Sequence, residues 1–191
     1  MTSDPLDALA ELVRVLDELA LTYAIGGSVA SSVHGEPRAS ADADILVALH
    51  EPELASLLSR LESRFYVSEE AALEAVRSHR SFNVIHLESM YKVDVFVAGT
   101  DRMDRERLLR RVHVAVGVQQ LAVTAAENLV VRKLDWYRQG GGVSDLQWRD
   151  VLGVLKIQAG ALDLAYMTEL AQAHGLAELL ARAMREAGFS D

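Results

Sequence analysis

Asp42 and Asp44 stand two apart at the head of an otherwise apolar run, Ala41–Leu49 (ADADILVAL), and Asp94 interrupts Val93, Val95 and Val97 in a second such run. Alternate side chains of a strand share a face, so Asp42 and Asp44 point the same way, with Cα atoms about 6.5–7 Å apart. Like charges on one face repel, and burial raises the cost. For the pair alone two readings meet that constraint: a solvated rim at the start of a strand, or a cation held between the carboxylates. Asp94 shifts the balance, because aspartates are uncommon inside strands and three carboxylates on two strands make a hard-oxygen cluster of the kind Mg²⁺ binds. Two such ions about 3.5–4 Å apart clamp the attacking and leaving oxygens of an in-line phosphoryl displacement.

Fourteen residues ahead of Asp42 lies Gly26-Gly27-Ser28, between a short strand and a short helix. Glycines let backbone approach a ligand, the helix that follows offers unpaired N–H groups to an anion, and the Ser28 hydroxyl adds a donor. The same three residues equally suit a capped helix after a tight turn. Arg38, in the loop leading to Asp42, is within reach of a bound anion or is simply solvated. Lys92 shares the strand face of Asp94 and either touches a phosphate or pairs with the aspartate. His34 ends the short helix and reads as a helix cap. Trp136, Tyr137 and Trp148 read as packing, and the six histidines show no zinc-ligand spacing.

These residues need a sheet to hold them. Pro5 opens a helix with Asp4 as its N-cap, and Leu6, Leu9, Leu12, Val13, Leu16 and Leu19 mark its apolar stripe. Strands are expected over 21–25, 41–49, 82–87, 92–98 and 112–116, with helices over 28–34, 51–64 and 68–79. The segment holding Arg102, Arg105, Arg107, Arg110 and Arg111, diluted by Asp101, Asp104 and Glu106, reads as a solvated helix face laced with ion pairs. Capping-box pairs Thr124/Glu127 and Ser144/Gln147 announce helices over 125–139 and 145–158, and two more fill 163–174 and 176–186. The fold class is α+β: a small mixed sheet flanked by helices over 1–118, then a C-terminal helical region over 119–191.

The 191 residues carry 19 Lys+Arg against 28 Asp+Glu, a net charge of −9, which excludes coating nucleic acid by bulk electrostatics though not a local basic groove. Cysteine is absent, so thiolate metal sites and cysteine nucleophiles are excluded. No apolar run reaches the roughly 18 residues of a membrane span, and MTSDPLDALAELV lacks the basic flank and apolar core of a signal peptide. A soluble, cytoplasmic protein is the expectation.

A strand, Gly-Gly-Ser, a short helix, Asp-x-Asp on a strand and a third Asp on a later strand together resemble the signature of the DNA-polymerase-β-type nucleotidyltransferases. Glu127–Leu134 (ENLVVRKL) with Gln147–Leu152 (QWRDVL) is similar to the AbiEii/MenT-like toxin branch of bacterial toxin–antitoxin systems. The resemblance implies transfer of a nucleoside monophosphate from an NTP, ATP or CTP, to an acceptor hydroxyl, with pyrophosphate leaving. It implies that Asp42, Asp44 and Asp94 ligate one or two Mg²⁺ ions, with Asp94 favouring deprotonation of the acceptor. By the same resemblance Gly26, Gly27 and Ser28 hold phosphates, Lys133 neutralises triphosphate charge, and Asp150 positions Lys133 or a polar part of the substrate. Read alone, Lys133 equally suits a snorkelling surface lysine, and Asp150 an exposed partner of Arg149 or Lys156. The implied acceptor is RNA, the 3′ end of tRNA, and the implied protein partner an antitoxin. Modification of a partner protein or of a small molecule such as an aminoglycoside, and a non-catalytic nucleotide-binding module, are the alternatives.

Overall fold

The computed structural model describes residues 5–116 and 119–189, and its centre is a seven-stranded mixed sheet. The strands are β1 (Tyr23–Ile25), β2 (Asp42–Val47), β3 (Phe65–Val67), β4 (Ser81–His86), β5 (Lys92–Val97), β6 (Val112–Val116) and β7 (Gln119–Val123), in the order β3-β4-β5-β2-β1-β7-β6. β2 runs parallel to β5, and β1 parallel to β7; the other neighbours are antiparallel. Two of these strands escape the sequence expectation. β3 has only three residues, too few to show a period, and β7 follows β6 so closely that the pair reads as one apolar stretch. The sheet therefore continues beyond residue 118.

The front half also contributes α1 (Pro5–Glu18), α2 (Gly27–His34), α3 (Glu51–Leu61), α4 (Glu69–Ser78) and α5 (Arg102–Leu109). α1 buries Leu9, Leu12, Val13 and Leu16, each worth about 1.5–3 kcal/mol, while Leu6 of the expected stripe is 44% exposed. The expected cap Asp4 lies outside the described residues. α3 stops at Leu61 rather than residue 64, because Phe65 turns out to begin a strand. α4 is capped by the Ser68 hydroxyl, which accepts from the Ala71 N–H, and closed by left-handed His79.

The rear half is helical: α6 (Ala126–Gln139), α7 (Asp145–Ile157), α8 (Leu164–Ala173) and α9 (Ala177–Ala187). Ser144 caps α7 as expected, its Oγ accepting from the Gln147 N–H, but the Gln147 side chain turns away to Lys133. The box expected at Thr124 does not form: Ala125 is the N-cap of α6, the Thr124 hydroxyl has no partner, and Glu127 instead accepts from the N–H of Asp163. His34 ties the halves together by bonding the main-chain oxygen of Thr124 at 2.8 Å, in place of the expected cap. No described helix is long and apolar enough to cross a membrane.

Candidate active site

Register decides where the carboxylates meet. In β2, Ala43, Ile45 and Val47 are buried in the core, so Asp42 and Asp44 fall on the other face; in β5, buried Val93, Val95 and Val97 alternate with Lys92, Asp94 and Phe96. The parallel pairing sets Asp44 beside Asp94 and Asp42 beside Lys92. The Lys92 ammonium bonds Asp94 Oδ2 at 2.8 Å and lies 3.6 Å from Asp42 Oδ2. Of the two roles open to Lys92, the structure gives it the pairing one.

Among the described residues no three His, Cys, Asp or Glu side chains gather into a metal cage. The donor chemistry nonetheless fits a hard divalent cation, because three carboxylates share one sheet face and one Lys⁺ balances them only in part. The carboxyl of Asp44 records the imbalance. Burial first, then the charges of Asp42 and Asp94, push it up to about 6, against the pull of Lys133 and Arg107.

The glycine turn meets these carboxylates edge-on. Gly26 N–H donates to the main-chain oxygen of Asp44 at 2.8 Å. Gly27 has φ +52°, and a Cβ there would fall 1.6 Å from Asp44 Oδ2, so only glycine lets α2 begin against that carboxylate. No side chain caps α2, which leaves its first N–H groups for a ligand. Ser28 is 6% exposed; its hydroxyl lies 2.7 Å from Ser40 Oγ, which in turn donates to Asp42 Oδ1 at 3.2 Å. A largely apolar cavity of about 350 Å³ adjoins this hydroxyl chain, lined among others by Val29, Val33, Tyr91 and Leu121.

α6 and α7 supply the opposing charge. Lys133 is 1% exposed, so it does not snorkel; its Nζ donates to Asp150 Oδ2 at 2.9 Å and to Gln147 Oε1 at 3.0 Å. Asp150, also buried, takes a second cation, since Arg38 donates Nε to Oδ1 at 3.1 Å and Nη2 to Oδ2 at 3.0 Å. It pairs with neither Arg149 nor Lys156. Burial alone would raise the Asp150 pKa, but the bonds from Arg38 and Lys133 outweigh it and hold the group below the usual carboxylate range. Burial lowers that of Lys133, with Asp150 opposing. The result is a triad of two cations and one anion, with Lys133 and Asp150 buried and Arg38 half-buried, facing a carboxylate group of excess negative charge.

The structure thus brings Asp42, Asp44, Asp94, Gly26, Gly27 and Ser28 to one region, with Lys133 close enough to act on Asp44, Asp150 bonded to Lys133, and Arg38 bonded to Asp150. It also adds a residue that the sequence reading assigned to a solvated face. Arg107 is 3% exposed; its Nη2 lies 3.0 Å from where a Cβ of Gly26 would stand, and burial pushes its pKa down to about 10. The available signal was Met103, one helical turn earlier and equally buried, which marks that face of α5 as inward. Tyr137 and Trp148 pack ring to ring at 5.0 Å, and Trp136 lies 6.2 Å from Phe96, as packing residues.

No protein-family model matches the chain, and no curated protein matches it in sequence. Solved structures do. The antibiotic-resistance factor ANT(2″)-Ia superposes with a TM-score of 0.60 over 97% of this chain and 98% of that one at 13% identity. An antigenic nucleotidyltransferase-like protein from Paracoccidioides brasiliensis gives 0.58 over 97% and 94% at 17% identity. The lincosamide antibiotic adenylyltransferase LnuA, lincomycin-bound, gives 0.54 over 79% and 96% at 10% identity. The mixed sheet and its helices are therefore the nucleotidyltransferase fold, and the chain is similar to these proteins in architecture over the shares given.

Proposed function

We propose that the protein is a Mg²⁺-dependent nucleotidyltransferase that moves a nucleoside monophosphate from an NTP to an acceptor hydroxyl. The observation that carries this reading is the register pairing of Asp44 with Asp94 beside a turn where a Gly27 Cβ would strike Asp44. Asp42, Asp44 and Asp94 would hold the metal, which when bound neutralises phosphate charge and lowers the pKa of a coordinated hydroxyl. The remaining work belongs to this chain. The free N–H groups of α2 bind the β- and γ-phosphates, with Ser28 fixing the loop of Ser40 and Asp42 beneath them. Lys133, aimed by Asp150 and Gln147, offsets the triphosphate charge, and Arg38 holds Asp150 in place. The acceptor oxygen bonds to the α-phosphorus as the α–β anhydride breaks; pyrophosphate leaves and Asp94 favours loss of the acceptor proton. Such chemistry asks a protein mainly for positioning and charge compensation.

The charge distribution favours a small hydroxyl-bearing acceptor. In the arginine-rich strip, Arg102 pairs with Glu169 and Glu106, Arg110 pairs with Asp163, and Arg107 is buried, so three of its five cations are turned away from an open groove. That leaves little of the local basic groove that an RNA 3′ end would require. ANT(2″)-Ia has been solved with adenylyl-2″-tobramycin and LnuA with lincomycin, which supports the same class. The toxin-like reading, with tRNA as acceptor and an antitoxin as partner, rests on the motif resemblance of α6 and α7.

Incubation with each α-labelled NTP and Mg²⁺, alongside a panel of aminoglycosides and lincosamides, total RNA or a cell lysate, decides both points. Label is expected on a small molecule, and Asp44→Ala should lose at least a hundredfold in rate, about 3 kcal/mol. Labelled RNA would transfer the protein to the toxin-like reading, and labelling that survives Asp44→Ala would remove the mechanism.

A further inference from the structure

We infer that Arg107 and Thr124 form an anion-binding wall behind the Gly26–Gly27 turn that takes the pyrophosphate portion of the nucleotide; this rests on the nucleotidyl transfer proposed above. The sheet register places the wall. Gly26 lies beside Asp44 on one side and Thr124 on the other, and a Cβ on Gly26 would stand 3.9 Å from Thr124 Oγ1 and 3.0 Å from Arg107 Nη2. Thr124, Gly26, Asp44 and Asp94 thus form one row across β7, β1, β2 and β5, on the face that carries the carboxylates. A Cβ on residue 26 would crowd the Arg107 guanidinium, which here lies against the bare glycine.

Both polar groups are buried and short of partners. The Arg107 side chain is 4% exposed, its Nε has no partner, and its single ion pair, Nη1 to Asp104 Oδ1, is long at 3.3 Å. Asp104 also spends its other oxygen on the Gly99 N–H at 3.0 Å, and the neighbouring Arg132 adds a like charge. The Thr124 hydroxyl is 1% exposed and bonds nothing. A buried guanidinium with so weak a partner, and a buried hydroxyl with none, cost free energy that an arriving anion recovers. The open N-terminus of α2 lies on the same turn, so backbone N–H groups and a guanidinium fork converge where phosphate oxygens would sit. A pyrophosphate held there sits on the far side of Asp44 from Asp94, as a leaving group opposite the acceptor must.

Calorimetric titration with inorganic pyrophosphate, tripolyphosphate and a nucleoside monophosphate, each with Mg²⁺, tests the inference. Thr124→Val is expected to weaken pyrophosphate about tenfold and Arg107→Gln about a hundredfold, with monophosphate affinity unchanged and Thr124→Ser retaining wild-type affinity. Thr124→Val keeps the shape and removes only an unpaired hydroxyl, so its melting temperature should not fall, and it decides the matter if Arg107→Gln does not fold. Wild-type NTP binding with unchanged pyrophosphate affinity in Thr124→Val overturns this inference and leaves the proposed function standing. Wild-type protein that binds neither NTP nor pyrophosphate overturns both.

Discussion

Asp44 stands amid four charges of the site and its glycine turn: Asp42 two residues away, Asp94 beside it, Lys133 and Arg107 on the helical side, and Gly27 against its oxygen. Its folded carboxyl is pushed up to about 6 from the ordinary 3.8, so in metal-free protein ionising it opposes folding. The unfolded chain binds fewer protons than the folded one between those two values, and stability falls as pH rises through that window. Asp44→Asn should therefore stabilise the metal-free protein at pH 7 by about 3 kcal/mol, a gain that fades as pH drops from 6 to 4. Urea unfolding in EDTA at pH 4, 5, 6 and 7 measures it, and a gain independent of pH would show that Asp44 is not held at such a cost. The three aspartates were legible because carboxylates inside apolar strands break a pattern. Arg107 and Thr124 were not, since their importance arises from a register between β1 and β7 and from the missing side chain of Gly26, neither of which is a local property of their own segments.

α6 and α7 act as a pair, because neither can bury its charged residue alone. Lys133 on the first and Asp150 on the second come within 2.9 Å, and Arg38, from the loop ahead of β2, completes the contact. Sequence periodicity and the Ser144 cap gave these helices their limits within a residue or two, yet could not say which face of α6 was inward, since nearly every residue from 126 to 137 is buried. The triad is asymmetric, and stability should reveal it. Removing Lys133 leaves Asp150 still gripped by Nε and Nη2 of Arg38, whereas removing Asp150 leaves buried Lys133 without its anion and with the half-buried Arg38 as a like charge beside it. Asp150→Ala is thus expected to cost about 3–5 kcal/mol and Lys133→Met about 1 kcal/mol or less, with activity lost in both. Equal losses on chemical denaturation would mean that Arg38 does not support Asp150 and that the aim of Lys133 is set elsewhere.

Across the whole molecule, one apolar core runs from Leu9 of α1 through Ile25 and Val123 of the sheet to Leu129, Val130 and Val154 of the rear helices, and on to Leu170 and Leu180. Polar stitches cross the same junction: His34 bonds Thr124, and the Gln158 side chain donates to the main-chain oxygen of His34 at 3.0 Å. The division into a front and a rear half, visible in the sequence as a change from strands to helices, is a change of secondary structure that leaves the core unbroken. The carboxylates and the cations that face them come from opposite sides of that change, so the site exists only while both halves are folded. A single cooperative transition follows. Both tryptophans, Trp136 and Trp148, belong to the rear helices, whereas far-ultraviolet circular dichroism reports on the sheet and all helices together. The two signals should therefore give the same midpoint in urea. A tryptophan transition displaced from the dichroism transition would mean that the helical half unfolds by itself, and that Lys133 and Asp150 can leave the carboxylates while the sheet stays intact.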